Sequence, residues 1–336
     1  MLHYLSIRAK RQVTCMKIVI LDGAGANPGD ISWKPLERFG EVTAYDYTSK
    51  EQVVERASGA EICITNKTVF DQDTLEKLPG LKHIGVLATG YNVVDLECCR
   101  KHGITVTNVP EYATYATAQM TIALLLELAC LPGRHSSDVM DGGWCRSPQF
   151  SYFLAPLTEL MGKNMLIFGF GKIGRRVAAI ASALGMNVSA VPHHPDGTEG
   201  MVDGYKIPYT TLEEGLKTAD VISVHCPLTP ETKHLISKER LASVKHGALL
   251  INCARGPVID EKAVREALDS GLLGGYGADV VSTEPMLPEN PLLGAPNCVI
   301  TPHIAWAPKE TRIRLIEAAA DNLDAFLKGS PVNVVN

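Results

Sequence analysis

A glycine-rich segment carries the first chemistry that this sequence suggests. Met165–Phe168 is a short apolar run that predicts a strand, and the residues GFGKIG at 169–174 follow it directly. Gly169 would permit a tight turn, and Gly171 would let the backbone approach a pyrophosphate closely. Gly174 would allow the next helix to pack against the strand. Strand, loop and helix in this order predict a dinucleotide-binding site.

The helix after this loop is opened by Lys172 and Ile173, and its N-terminus would offer free N–H groups to phosphates. An acidic residue about 20 residues further on usually binds the ribose 2′-hydroxyl of NAD, but Pro192 stands at that place. His193 and His194 come next. They could hold a 2′-phosphate if protonated, or they could be solvated turn residues. The predicted cofactor is therefore NAD or NADP, and the choice stays open.

Three polar side chains come shortly after apolar runs further along the chain. They are Arg255, Glu284 and His303. Because ligands of open α/β sheets gather at the carboxyl ends of the strands, we expect these side chains to face one site. A histidine can give or take a proton there, and a carboxylate on its other ring nitrogen fixes the tautomer. The set predicts acid–base chemistry beside the dinucleotide.

Two alternating patterns would position these residues. Short apolar runs alternate with amphipathic runs from Met16 to Val109, and a second alternation runs from Met165 to Ile300. Strands that are separated by helices pair in parallel, because a parallel return needs a long crossover. We therefore predict an α/β protein with two open parallel-sheet domains, in which a Rossmann domain is inserted in a flavodoxin-like substrate domain.

The connecting segments support this nested arrangement. Glu111–Cys130 is a helical run that is apolar on nearly all faces, so it should be buried on more than one side. Residues 141–157 predict a loop with four aromatic residues. Lys309–Leu327 predicts an amphipathic helix that crosses back to the first domain. The predicted substrate-binding domain comprises 16–111 and 305–336, and the predicted Rossmann dinucleotide-binding domain comprises 112–304.

The composition of the chain narrows the class of protein and the kinds of partner further. The chain has 336 residues, 46% apolar and 21% charged, which is typical of a globular protein with two domains. Its net charge of -5 argues against a nucleic-acid partner. The most apolar stretch, Met120–Cys130, contains Glu127 and is shorter than the ~20 residues that cross a bilayer. We therefore expect no membrane partner.

The cysteines and the N-terminal residues indicate the cellular compartment of the protein. Nine cysteines are scattered without a CxxC pair, which indicates reduced thiols and a cytoplasmic protein. Residues 1–15 are basic and lack the apolar core of a secretory signal. We interpret residues 1–15 as an extension upstream of a natural start at Met16.

Taken together, the motifs resemble those of the D-isomer-specific 2-hydroxyacid dehydrogenase family. The subgroup of hydroxypyruvate reductases and glycerate dehydrogenases is the most similar, judged by LDG at 21–23, LATGYN at 87–92 and AWA at 305–307. The other matching segments are GFGKIG at 169–174, HCPLTPET at 225–232, NCARGPVID at 252–260, DVVSTEP at 279–285 and TPHIAWA at 301–307. The resemblance runs from Met16 to the C-terminus.

The resemblance implies NAD(P)-dependent reduction of a small 2-keto acid such as hydroxypyruvate or glyoxylate. Arg255 would hold the substrate through its planar fork and stabilise charge on the carbonyl oxygen. His303 would give that oxygen a proton, and Glu284 would stabilise the imidazolium. The backbone N–H groups of three further residues would bind the substrate carboxylate; they are Ala88, Thr89 and Gly90.

The resemblance also implies the remaining cofactor contacts. Asp279 would receive the nicotinamide carboxamide. Cys253 and Ala254 would lie beside the nicotinamide, where Cys253 is interpreted as a small packing residue because no adjacent base is evident. The adenosine half would be flanked by Cys226, Pro227 and Thr232.

Two alternative functions, the oligomeric state and the role of Trp306 remain to be considered. A non-catalytic dinucleotide sensor of the corepressor type would share this fold, but the joint presence of Arg255, Glu284 and His303 favours an enzyme. A formate-oxidising relative would carry Gln in place of Glu284. Family members form dimers near the aromatic segment 141–157, so we expect a homodimer. Trp306, close to His303, could be a core residue or a pocket wall.

Overall fold

The structure, a computed structural model, describes residues 16–336. It divides into two compact units, 16–112 with 309–336 and 113–308. These bounds differ from the predicted domain bounds by one residue at the first crossing and by four residues at the second. The interpretation of residues 1–15 as an extension concerns residues outside the described range.

The first unit is a five-stranded parallel sheet with helices between its strands. The strand order is β2-β1-β3-β4-β5, which is the flavodoxin-like order and confirms the predicted fold. The strands are β1 (Lys17–Ile20), β2 (Glu41–Ala44), β3 (Ile62–Thr65), β4 (His83–Val86) and β5 (Thr105–Thr107). The helices that connect them are α1 (Lys34–Glu37), α2 (Val53–Ala57), α3 (Gln72–Leu75) and α4 (Leu96–Lys101). β3 and β4 are buried at every position, as expected for strands covered on both faces.

The last helix of the chain, α12 (Lys309–Leu327), belongs to this first unit, where it packs on α1 and β4. Arg312 of this helix is buried, and its two terminal nitrogens each lie 2.7 Å from a carboxylate oxygen of Asp30. The predicted apolar stripe is buried in its middle, whereas Ile313 at its start and Leu327 at its end are 37% and 40% exposed. The helix thus fixes the loop around Asp30 through a paired charge as well as through apolar contact.

The second unit holds a six-stranded parallel sheet in the order β13-β12-β11-β10-β6-β7, which confirms the predicted Rossmann-type domain. Its parallel strands are β6 (Asn164–Phe168), β7 (Asn187–Val191), β10 (Val221–Val224), β11 (Ala248–Asn252), β12 (Leu273–Ala278) and β13 (Cys298–Ile300). β8 (Glu199–Val202) and β9 (Tyr205–Pro208) form a separate antiparallel hairpin. Beside β7, where a further edge strand would lie, Tyr209 makes one isolated bridge to Ala190.

Seven helices accompany these strands in the second unit. They are α5 (Thr114–Cys130), α6 (Pro132–Met140), α7 (Gly143–Arg146), α8 (Lys172–Ala183), α9 (Leu212–Thr218), α10 (Lys238–Leu241) and α11 (Glu261–Asp269). α5 packs on α8 and also on β11 and β12, so it is buried on more than one side. Within residues 16–336 no single helix is long and apolar enough to cross a membrane; α5 and α6, bent by 60°, meet the length and composition criteria only as a pair.

Two local predictions were wrong, and one element was missed. The long helix begins at Thr114 rather than Glu111, and a second helix follows it at once. Leu131 turns the chain with φ +53, and Pro132 then occupies the first helical position, where its fixed φ and missing N–H are favourable. The segment 141–157 contains the short helix α7 rather than only a loop, and the β8–β9 hairpin was not predicted.

Candidate active site

Gly169 begins the glycine loop at the end of β6. Its φ of +95 lies in the region that favours glycine. A Cβ at this position would lie 2.6 Å from the carbonyl carbon of His225 and 2.6 Å from the nitrogen of Cys226. The loop therefore lies directly against the segment that follows β10, and a side chain at Gly169 is excluded by conformation and by space.

The next two glycines have opposite surroundings. A Cβ on Gly174 would lie 2.2 Å from the carbonyl oxygen of Gly169, so α8 packs closely on the loop. A Cβ on Gly171 would meet no described atom within 4 Å. α8 begins at Lys172 and continues through Ile173, and the first turn of a helix leaves N–H groups without intrahelical partners. Open space beside such a turn fits a bound pyrophosphate.

The segment after β10 is a compact turn. The hydroxyl of Thr232 donates to the carbonyl of Pro227 at 2.7 Å and accepts from the N–H of Thr229 at 2.7 Å. Burial raises the pKa of the Cys226 thiol to about 11, so this cysteine is a neutral packing residue at pH 7. The predicted adenosine contacts Cys226, Pro227 and Thr232 thus share one ordered turn next to Gly169.

The end of β7 carries no carboxylate in the place where NAD-binding folds usually have one. β7 ends at Val191, Pro192 follows, and His193 and His194 are exposed with Nδ1 and Nε2 2.8 Å apart. The turn therefore leaves the choice between NAD and NADP open.

Arg255 follows β11, and its backbone is held by a buried asparagine. Asn252 accepts from the N–H of Ala254 at 3.0 Å and donates to the carbonyl of Arg255 at 3.0 Å. The Arg255 side chain is exposed and donates to the carbonyl of Ala254 at 2.7 Å. Burial raises the pKa of the Cys253 thiol to about 12, which agrees with a packing role for that residue.

Glu284 and His303 form the central contact of the site. Nδ1 of His303 donates to Oε2 of Glu284 at 2.7 Å, and Oε1 of Glu284 accepts from the N–H of Val281 at 3.1 Å. The backbone of His303 has φ +55, which is uncommon for a residue with a side chain. The indole N–H of Trp306 donates to the carbonyl of His303 at 2.8 Å. Trp306 therefore supports the backbone of the histidine, a role that the sequence prediction did not include.

Asp279, predicted to contact the nicotinamide, is almost fully buried at the end of β12. One oxygen accepts from the Thr301 hydroxyl and from the N–H of Ile304 at 2.9 Å, and the other accepts from the N–H of Ala305 at 2.8 Å. Asp279 thus organises the loop that carries His303. Its contact with a nicotinamide stays a prediction.

The predicted carboxylate-binding turn Ala88–Gly90 follows β4 in the first unit. The Thr89 hydroxyl donates to the carbonyl of Val109 at 3.1 Å, and the Asn108 side chain donates to the carbonyl of Thr89 at 2.8 Å. The turn is therefore fixed by its side chains and carbonyl groups. This arrangement leaves the backbone N–H groups of Ala88, Thr89 and Gly90 as the part that could bind an anion.

The sequence analysis did not single out two residues that hold the site segments. They are Asn252, the last residue of β11, and Glu261, the first residue of α11. Asp260 caps α11, since its side chain accepts from the N–H of Ala263 at 3.1 Å. Glu261 instead accepts from the N–H of Ser282 and from the side chain of Asn290. A buried asparagine that ends an apolar strand was the one available sequence signal.

Comparisons with known proteins show which family of proteins this chain resembles. A family model described as D-isomer specific 2-hydroxyacid dehydrogenase, NAD binding domain, matches residues 122–305. A hydroxypyruvate reductase from Blautia hydrogenotrophica is 48% identical over 96% of this chain and 100% of its own length. A glycerate dehydrogenase from Methylorubrum extorquens is 42% identical over 88% of this chain and 92% of its own. A crystal structure of a Thermus thermophilus protein has a TM-score of 0.84 and 37% identity, covering 96% of this chain and 100% of that one.

Proposed function

The chain belongs to the D-isomer-specific 2-hydroxyacid dehydrogenase family, and from this premise we propose that it reduces a small 2-keto acid of the hydroxypyruvate or glyoxylate type with His303 as the proton donor. It is an oxidoreductase that acts on the CH–OH group of 2-hydroxy acids with NAD or NADP. The relatives named hydroxypyruvate reductase and glycerate dehydrogenase give no support to a non-catalytic sensor.

The hydrogen bond between His303 Nδ1 and Glu284 Oε2 carries the proposal. It commits Nδ1 to the carboxylate and leaves Nε2 as the nitrogen that can exchange a proton with a substrate. The protonated imidazole is the form needed in the direction of reduction. In the direction of oxidation the neutral imidazole would accept the proton of the substrate hydroxyl.

Arg255 is proposed to bind and orient the substrate. A guanidinium presents two parallel N–H groups, which match a carboxylate and can also stabilise charge on the neighbouring carbonyl oxygen. Its exposed side chain and its fixed backbone suit this role. The N–H groups of Ala88, Thr89 and Gly90 are proposed to bind the substrate carboxylate as well.

A bound nicotinamide dinucleotide would supply the hydride. The residues proposed to hold it are those of the glycine loop and of the segments after the neighbouring strands. They are Gly169, Gly171, Lys172, Ile173, Gly174, Cys226, Pro227, Thr232, Cys253, Ala254 and Asp279. The open space beside Gly171 is the observation that supports a phosphate there.

A substrate panel tests the proposal. Loss of absorbance at the reduced-nicotinamide band would be followed with hydroxypyruvate, glyoxylate, pyruvate and phenylpyruvate, each with NADH and with NADPH. We expect the highest kcat/KM with hydroxypyruvate or glyoxylate. Absence of turnover with every 2-keto acid and both cofactors would overturn the enzymatic proposal, and a preference for phenylpyruvate would overturn the substrate class.

We further propose a homodimer formed through the aromatic segment 141–157. Phe150 and Phe153 are 94% and 74% exposed in the single chain, yet the segment is anchored. The indole N–H of Trp144 donates to the carbonyl of Phe150 at 3.0 Å, and Tyr152 donates to Asp138. An anchored apolar surface is typical of a contact site. Light scattering should give twice the mass of one chain, and the double variant Phe150→Asp/Phe153→Asp should give one chain mass.

A cytoplasmic location is proposed from the cysteines. Eight of them lie within residues 16–336, and all eight are free thiols. Free thiols are typical of a reducing compartment. Cell fractionation should recover the activity with cytoplasmic markers, and recovery with membranes would contradict this location.

A further inference from the structure

Glu261 lies between the segment that carries Arg255 and the segment that carries Glu284. We propose that it is a positioning residue for the proton-transfer pair, an inference that depends on the roles proposed above for Glu284 and His303. Its Oε1 accepts from the N–H of Ser282 at 2.6 Å, and its Oε2 accepts from Nδ2 of Asn290 at 3.0 Å. Hydrogen bonds to an ionised carboxylate are short and strong, so the two contacts fix the loop 282–290 from one point.

The contact at Ser282 acts on the acid–base pair through one residue, Val281, which joins the two peptide groups involved. Ser282 follows Val281, whose N–H donates to Oε1 of Glu284 at 3.1 Å. The other oxygen of Glu284 accepts from His303 at 2.7 Å. A shift of the Ser282 amide would turn the Val281 peptide, move the Glu284 carboxylate and lengthen the contact with the imidazole. Glu261 therefore sets the position of Glu284 without touching it.

A second contact joins the same two segments. A Cβ on Gly256 would lie 2.0 Å from the carbonyl carbon of Val281 and 2.4 Å from the nitrogen of Ser282, so the two backbones are in direct contact. Gly256 directly follows Arg255, and Glu261 lies five residues further on at the start of α11. The backbone contact prevents approach of the segments, and the carboxylate prevents their separation. Together they hold Arg255 and Glu284 in a fixed relation.

The contact with Asn290 requires a carboxylate, rather than an amide, at position 261. The side-chain oxygen of Asn290 accepts from the N–H of Leu292 at 2.9 Å, which fixes its amide with Nδ2 toward Glu261. A glutamine at 261 could keep the bond from Ser282, but its amide would then present a donor to the Asn290 donor. The Glu261→Gln variant should therefore lose one contact, and Glu261→Ala should lose both.

The simpler role of Glu261 is a favourable charge at the N-terminus of α11. Glu213 provides a matched control, because it lies in the first turn of α9 in the same unit and has an exposed side chain. Glu213→Gln removes the same charge from the same type of helix position. If the charge alone matters, the two Gln variants should behave alike.

Kinetics over a range of pH tests the positioning role in the full chain. For Glu261→Ala we expect kcat to fall by roughly 10- to 100-fold, as for a small misplacement of a catalytic group, with little change in KM for the reduced cofactor. The pH profile of the reduction rate should change as well, because Glu284 would no longer be held at a fixed distance from His303. Glu261→Gln and Asn290→Ala should give smaller effects in the same direction, and Glu213→Gln none.

A second readout separates this inference from the proposed function. In protein labelled with ¹⁵N-histidine, the Nδ1–H of His303 should give a downfield proton signal that disappears in a His303→Asn variant. We expect this signal to persist in Glu213→Gln and to be lost by solvent exchange in Glu261→Ala. Absence of turnover in the unaltered protein would contradict the proposed function, but it would not contradict the positioning role of Glu261. A Glu261→Ala variant with an unchanged signal and an unchanged pH profile would overturn the positioning role, even if its Tm fell.

Discussion

His303 and Glu284 are joined by a 2.7 Å hydrogen bond between Nδ1 and Oε2, and their side chains are 28% and 34% exposed to solvent, respectively. The pair is thus shielded enough to hold one geometry and open enough to meet a substrate. His303 adopts φ +55, and its loop is held by Asp279 and by the indole of Trp306. Uncommon backbone conformations persist where the surroundings determine them, and such positions often belong to functional sites.

Removal of the His303 imidazole should abolish most of the turnover. We predict a fall in kcat of ~10²–10⁴-fold for His303→Ala, the usual contribution of a general acid. His303→Asn should fall equally and is the better-folded variant, because asparagine tolerates positive φ. Steady-state reduction rates give the comparison, with cofactor affinity from fluorescence titration as the control. Near-normal turnover in His303→Asn would remove His303 from its proposed role.

Glu284→Gln should lower the rate of the oxidation direction. Positive charge develops on the imidazole when it accepts the substrate proton, and a neutral amide at 2.7 Å stabilises that charge less than a carboxylate does. We expect a fall in kcat of about tenfold or more, which corresponds to about 1.4 kcal/mol. Steady-state oxidation rates at one pH measure this fall, and an unchanged rate would show that Glu284 does not support the imidazole.

The predictable parts of the site are those that depend on short sequence motifs and on residues that directly follow strands. Gly169 and Gly174 follow from a motif placed between a strand and a helix, and the structure adds the atoms that exclude a side chain there. The strand ends predicted that Glu284 and His303 would lie at one edge of the sheet, although 19 positions separate them. Their direct contact was expected from the family resemblance.

The supporting residues were not predictable in the same way. Glu261 reaches Ser282 and Asn290 across 21 and 29 positions, and a helix-terminal glutamate looks the same whether or not it makes such contacts. The β8–β9 hairpin did have a signal, since Asp203 and Gly204 form its turn with φ of +47 and +86. Its two strands have only four residues each, which is too short for the alternation of buried and exposed residues to stand out in the sequence.

Gly171→Ala should weaken cofactor binding without changing stability. The added methyl group meets no described protein atom within 4 Å, and the backbone there is extended, so the fold has room for it. A pyrophosphate close to this backbone would not have room, and we predict about a tenfold loss of affinity, or about 1.4 kcal/mol. Titration calorimetry with the dinucleotide and the Tm of the free protein give the two readouts. Gly80→Ala, also in open space, is the control, and unchanged affinity in Gly171→Ala would place the phosphates elsewhere.

Pro192→Asp should shift the cofactor preference toward NAD. The new carboxylate would follow β7, where it could accept from a ribose 2′-hydroxyl and repel a 2′-phosphate. The ratio of kcat/KM for NADH to that for NADPH measures the change. Pro195→Asp adds the same charge three residues further along the exposed turn and serves as the control. An unchanged ratio in Pro192→Asp would show that this turn does not select the cofactor.

His83 should make the first unit acid-sensitive in a defined pH range. Burial lowers the pKa of this imidazole to about 4, while an unfolded chain has an ordinary value of ~6.5. Below pH 6.5 the unfolded state therefore binds a proton that the folded state does not, and stability falls until pH 4. At 1.36 kcal/mol for each pKa unit, the loss is about 3 kcal/mol. Denaturation at several pH values measures the free energy of unfolding. Between pH 6.5 and 4 this free energy should fall less steeply in His83→Gln than in the unaltered protein. A substitution of the exposed His246, His246→Gln, should leave the slope unchanged. A His83→Gln variant with an unchanged slope between pH 6.5 and 4 would mean that His83 is protonated in the folded protein.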